Sequence, residues 1–244
     1  MKAFCNHGIF YHFLLSYVST PIIQSQGGVM RVLISICLTL LMVTSVSVAE
    51  TNQRALKEDK KHVNDWNVFA DDLYALHKQQ LSLHDVKETV KKGGYRGNKD
   101  FYKEITYTDA ETGRVLSRIQ WETDNPKNIH VIEVFQYDNT GRVKCDYTAA
   151  FLPGFRNAPI QTLVALHSYN EGLHAFRSFD ASGDAVFERC NGDYKGKEID
   201  LDFEDYQIED MRLNPNGVMK TPVYQACFGK IDLTAKEFLP PRQR

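Results

Sequence analysis

Tyr137-Asp138-Asn139-Thr140-Gly141-Arg142-Val143-Lys144-Cys145-Asp146-Tyr147-Thr148-Ala149-Ala150-Phe151 is the stretch on which the fold reading turns. Its second half alternates Val143, Cys145, Tyr147, Ala149 and Phe151 against Lys144, Asp146 and Thr148, the period of two that belongs to a half-buried strand. Its first half is a turn. An aspartate at the first turn position can accept from the backbone two residues on, and Gly141 can take the left-handed conformation that closes a short hairpin. One face of this strand is apolar and the other wet, so the segment predicts an antiparallel hairpin on a core rather than a buried parallel strand.

The same alternation recurs outward in both directions. Ile105 and Tyr107, then Val115, Ser117, Ile119 and Trp121, precede it. Ile199, Leu201 and Phe203 alternate with Asp200, Asp202 and Glu204 after it. Asp124-Asn125-Pro126, Asn191-Gly192 and Asn214-Pro215-Asn216-Gly217 supply turn chemistry between the runs. Two further turns share the pattern of the first: Tyr107-Thr108-Asp109-Ala110-Glu111-Thr112-Gly113-Arg114-Val115, and Phe179-Asp180-Ala181-Ser182-Gly183 followed by Val186. At residues 107–115, 137–143 and 179–186 the chain resembles the YD repeats of Rhs-type proteins, hairpin units with Tyr-Asp, two residues, Gly-Arg and an apolar residue. Tyr137 to Val143 matches that signature throughout; the first copy is longer and the third lacks the arginine. The resemblance implies a structural element and no activity. The turn glycines are 28 and 42 residues apart, so no solenoid period follows.

Before the strands the period is helical. Val63, Trp66, Phe69, Ala70, Leu73 and Leu76 form a stripe at three-and-four spacing. Ser82, with Asp85 three residues on, reads as the N-cap of a second short helix carrying Val86 and Val90 and ended by Gly93-Gly94. Pro159 to His167 reads as one more helix, with proline in its first turn. The expected fold is therefore α+β: a helical N-terminal segment over residues 50–100, then an antiparallel β-rich domain of hairpins over residues 101–244, interrupted by one helical crossing.

Met30-Arg31, the uncharged run Val32 to Val48, and Ser47-Val48-Ala49 before Glu50 have the layout of a secretory signal peptide over residues 30–49, cut between Ala49 and Glu50. Residues 1–29 then read as an upstream extension to an already complete signal. Taking Lys2 and Arg31 from the 29 basic residues leaves 27 against 31 acidic ones in the chain after the cut. That slightly acidic, evenly mixed charge offers no basic patch, so nucleic-acid binding is not expected. Nor is a stable membrane span after cleavage, and the expected location is periplasmic or secreted. Of the cysteines, Cys145, Cys190 and Cys227 lie past the cut, and an exported compartment permits one bridge among them. Cys145 alternates with core residues, whereas Cys190 and Cys227 stand at element ends (the latter read as a final strand). The favoured disulfide is Cys190 with Cys227, leaving Cys145 a buried thiol.

Candidate chemistry is sparse. His167 and His174 bracket Tyr169, Asn170 and Glu171, and two histidines so placed are candidates for a general acid/base pair or metal ligands. Cys145-Asp146 is a candidate nucleophile, against a reading of Cys145 as a small core hydrophobe. Asp200, Asp202, Glu204 and Asp205 form an acidic row that calcium could use, against the wet face of an ordinary strand. The aromatics Tyr102, Tyr107, Trp121, Phe135, Tyr137, Tyr147, Phe151, Phe176, Phe179 and Phe187 line either a core or an apolar pocket. No cofactor motif occurs. The expected role is non-catalytic binding or assembly in the cell envelope; the alternatives are an envelope hydrolase using His167, His174 and Cys145, and a carrier of a hydrophobic ligand.

Overall fold

A computed structural model describes residues 60–243 apart from Arg96, 154–156 and Pro215. The expected signal sequence and its cut after Ala49 lie outside the described residues. Helix α1 (Lys60–Leu83) is followed by nine strands: β1 (Val86–Tyr95), β2 (Asn98–Asp109), β3 (Val115–Glu122), β4 (Ile129–Tyr137), β5 (Val143–Ala150), β6 (Gln161–Asn170), β7 (Leu173–Phe179), β8 (Ala185–Tyr194) and β9 (Lys197–Glu204). Two short helices close the described chain, α2 (Asp205–Leu213) and α3 (Pro222–Phe228). Every strand pairs antiparallel with its sequence neighbours, so the nine form one open meander with β1 and β9 at its edges.

The β5 alternation sorts this sheet into two faces. Cys145, Tyr147 and Ala149 are fully buried, and they share a face with Ile119, Ile132, Val134, Val164 and Phe179. α1 packs on this face over β3–β6, and it lays Phe69, Leu73 and Leu76 there, each of them buried. α3 covers β6–β8 and α2 covers β8 and β9, contributing Ile208, Met211, Tyr224 and Phe228. Burying a large apolar side chain contributes about 1.5–3 kcal/mol, and the stripes of α1 and α3 supply this on one side of the sheet only.

The three related turns behave alike. Asp109 Oδ1 accepts from Glu111 N at 2.9 Å, Asp138 Oδ1 from Thr140 N at 2.8 Å, and Asp180 Oδ1 from Ser182 N at 2.9 Å. Gly113, Gly141 and Gly183 have φ of 72°, 85° and 90°. Left-handed backbone of this kind favours glycine because it has no Cβ.

Two helical expectations are corrected. Residues 86–95 are strand β1: Val86 and Val90 are four apart, a spacing that fits one helix face and one strand face equally. Gly93 does not stop a helix; it lies under the Tyr102 ring, where a Cβ would come within 2.5 Å of ring atoms. Ser82 is in the last turn of α1 and donates to the Gln79 carbonyl instead of capping a new helix. The helical segment therefore ends at Leu83, and the sheet starts at Val86 rather than beyond residue 100. Residues 161–170 are strand β6, so there is no helical crossing. β6 is apolar on both faces, with Thr162, Val164 and Leu166 inward and Leu163 and Ala165 outward, and such a run carries no period of two to read.

Cys190 and Cys227 form a disulfide with Cα atoms 5.8 Å apart, and Cys145 is buried and outside the disulfide. Cys227 sits on α3 and not on a final strand, so the bridge ties a helix to the sheet. Beside it runs a buried polar network. Arg177 Nε donates to Glu188 Oε1 at 2.6 Å, and both residues are essentially without exposure. Arg177 Nη1 donates to the carbonyls of Ile231 and Asp232 at 2.9 and 2.8 Å, and the Tyr224 hydroxyl donates to Glu188 Oε2 at 2.8 Å. The tail after α3 is thus fastened to the sheet by a fully bonded ion pair.

Candidate functional site

The second face of the sheet carries the outward parity of each strand, and among the described residues no helix packs on it. On β5 that parity gives Asp146 and Thr148; on β6 it gives His167 and Tyr169; on β7 it gives His174 and Phe176. Asp146 pairs in register with Ala165, which sets His167 one step along the same face, and Tyr169 pairs directly with His174. Seven residues apart in sequence, His167 and His174 are thereby neighbours across a hairpin.

His167 Nε2 lies 2.6 Å from Asp146 Oδ2, and His167 Nδ1 lies 2.9 Å from His174 Nε2. The two imidazoles are nearly coplanar and meet edge to edge, with centroids 5.2 Å apart and 9° between planes, as an in-plane N–H···N bond requires. The tautomers follow from the carboxylate, which only accepts. With both rings neutral, His167 donates from Nε2, its Nδ1 accepts and His174 donates from Nε2. The remaining basic position of the chain is Nδ1 of His174. Burial lowers the pKa of His174, helped by the positive charge that His167 can carry and opposed by Asp146. Tyr169 stacks on His174 at 4.7 Å, and the Arg142 guanidinium lies 4.5 Å from the Tyr169 ring. Arg142 in turn pairs with the turn residue Asp138 at 3.3 Å. On the neighbouring β4, burial raises the pKa of Glu133, with Arg118 3.5 Å away opposing the shift and Asp146 adding to it.

This arrangement is a linear carboxylate–imidazole–imidazole relay. It is not a chelate, because Asp146 and His174 approach opposite nitrogens of His167 and cannot share one ion with it. Among the described residues no group of three or more His, Cys, Asp or Glu has the geometry to hold a metal ion. The other candidates fall elsewhere. Cys145 is on the helix-covered face with no exposure, so the sheet itself separates it from His167. Asp200, Asp202 and Glu204 stand on the outermost strand, where Asp200 pairs with Arg189 at 3.0 Å and Glu204 forms the capping box of α2 with Gln207. Tyr107, Tyr147 and Phe179 fill the core under the helices. A depression of about 370 Å³ beside α2, lined by residues that include Asp184, Asp205, Glu209 and Arg212, takes in Asp205 from the acidic row and none of the other candidates.

Sequence reasoning did not anticipate a buried serine–histidine contact, His77 Nδ1 to Ser117 Oγ at 2.8 Å. Both residues are buried beneath α1, so the serine has no approach for a substrate. Asp146 was legible only as the partner of Cys145. Its register with β6 is what makes it a partner of His167.

No family model matches the chain, and no curated protein matches it. Among solved structures the chain is similar to the crystal structure of a DUF3836 family protein from Parabacteroides distasonis, at 12% identity, covering 52% of this chain and 96% of that one. The TM-score is 0.19.

Proposed function

We propose that the chain is an exported protein of the cell envelope, periplasmic or secreted, that works by binding or assembly. The disulfide between Cys190 and Cys227, both buried, supports the compartment, since such bridges persist where the surroundings are oxidising. Among the described residues no helix is long and apolar enough to cross a membrane. The observation that carries the binding reading is the distribution of reactive groups. The thiol of Cys145 and the hydroxyl of Ser117 are buried on one side of the sheet, and the relay of Asp146, His167 and His174 occupies the other. Arg142, Tyr169 and His174 stack in a row, with His167 bonded edge-on to His174, and together they present planar groups of the kind that recognise a ligand by stacking and hydrogen bonding.

The relay also favours one second reading, a hydrolase in which His174 Nδ1 activates water and Asp146 holds the charge that develops. Cys145 has no part in it. The two readings separate by experiment. Mass spectrometry of the protein recovered from the envelope and medium is expected to find Glu50 as the first residue; a chain retaining Ala49 overturns the signal reading. Native mass spectrometry of the same material is expected to show a co-purifying molecule that is retained in wild type and lost on His174→Ala. Turnover of a panel of simple ester and amide substrates that disappears in His174→Ala would establish the hydrolase instead.

A further inference from the structure

An open nine-stranded sheet has two free edges, and here they are opposite in charge. β1 carries Lys87, Lys91 and Lys92 against Glu88, and β9 carries Glu198, Asp200, Asp202 and Glu204 against Lys197. On β1 nearly every residue from Lys87 on is exposed, on both faces of the strand. On β9 the four carboxylates share the outward parity and are exposed, while Ile199, Leu201 and Phe203 pack inward. Among the described residues no backbone group of β1, nor of β9 from Lys197 to Phe203, bonds to backbone outside its own hairpin ladder. Both edges therefore present unsatisfied donors and acceptors in strand geometry, the template for pairing with another strand.

The parity extends to direction. Lys91 bonds Glu104 at 2.8 Å, and Glu104 bonds Gln120, on the face opposite the helices, so Lys87 and Lys91 project to that face. Asp200 and Asp202 lie opposite Asn191 and Arg189 on the same face. With an odd number of strands in an antiparallel meander, β1 and β9 run the same way. A second copy that keeps its helices on the same side brings its β1 alongside β9 in parallel, with lysines facing carboxylates. Lysine on an edge strand ordinarily guards against association. Here each edge repels its own kind, which disfavours the two-fold pairings of β1 with β1 and β9 with β9, and leaves the unlike pair attractive.

We propose that the chain self-associates head to tail, β9 of one copy pairing with β1 of the next. Such a contact is heterologous and gives a ring or an open filament according to the rotation per step. It does not depend on the relay or on any ligand there. The test is sedimentation velocity of the purified chain across a concentration series. Wild type is expected to grow beyond the dimer at low salt, and raising salt from about 0.05 to about 0.5 M is expected to weaken the association on the order of tenfold, because exposed charges are screened. Two charge-reversed variants spare the internal ion pairs and the α2 cap: Lys87→Glu with Thr89→Glu, and Glu198→Lys with Asp202→Lys. Each alone is expected to be monomeric with the wild-type circular dichroism spectrum. Mixed in equal amounts they are expected to co-assemble, since each then offers an edge opposite to the other's. A wild type that stays monomeric at low salt overturns the proposal, as does a mixture of the two folded variants that fails to associate.

Discussion

His77 offers a measurement in which one side chain sets the acid sensitivity of the fold. It is 4% exposed, it bonds Ser117 Oγ at 2.8 Å, and its ring meets that of Tyr107 at 4.8 Å. Burial, and then the charge of Lys78, lowers its pKa from 6.5 to about 4. Because the folded value is depressed, the unfolded chain takes up the proton first as pH falls. The contribution is intact above pH ~6.5, erodes below it, and is lost in full below about pH 4. Linkage with those two values gives about 2 kcal/mol lost by pH ~5, at 1.36 kcal/mol for each unit of separation. The comparison variant is His77→Asn, whose side chain can meet Ser117 but does not titrate. Urea unfolding followed by Trp66 and Trp121 fluorescence at about pH 7.5 and pH 5 should show wild type losing about 2 kcal/mol more than the variant. Burial also lowers the pKa values of His130 and His174, but both titrate in wild type and variant alike and cancel in the difference. Parallel pH dependences for the two proteins would refute the reasoning.

Removing the disulfide by Cys190→Ala with Cys227→Ala should cost roughly 3–4 kcal/mol under the chain-entropy model, read from denaturant midpoints, and peptide mapping without reduction should recover the Cys190–Cys227 link. Arg177→Met should cost about 3–5 kcal/mol by stranding Glu188 without its partner, whereas Arg177→Met with Glu188→Leu should recover part of that loss in thermal melts. Gly141→Val should cost ~1 kcal/mol or more, because φ there is 85° and a Cβ would press on the Arg114 guanidinium; an unchanged melting temperature would contradict the turn geometry.

What could be read in advance was whatever had a clean period or a local chemical rule. Phe69, Leu73 and Leu76 repeat at helical spacing and are buried on the sheet. Cys145, Tyr147 and Ala149 alternate and are inaccessible. The turn aspartates and glycines behave as their side-chain chemistry dictates. β1 and β6 escaped for opposite reasons: β1 has almost no buried face to generate a pattern, and β6 has two. The C-terminal helices left signals that the strand reading passed over, namely Thr221-Pro222 as cap and first residue, and Tyr224, Cys227 and Phe228 at helical spacing. The relay was half legible. His167 and His174 stood out as types, but the bonds that join them to each other and His167 to Asp146 are set by hairpin register, a long-range property that a single strand's pattern does not encode.

Because strand order equals sequence order, every ladder in this sheet can close as soon as its two strands exist. Zippering from hairpin to hairpin keeps loop-closure entropy small at each step, and for a β-rich chain of this size that is a fast route. A polypeptide crossing a membrane from its N-terminus would have α1 on the far side first, with a bare apolar stripe and no sheet to receive it until β3–β6 have followed. In such a passage oxidation would come last, since Cys227 would emerge after all nine strands and only then meet Cys190 on β8. The period of greatest vulnerability to aggregation would then fall early in emergence and concern α1. Covalent closure records that the meander is complete.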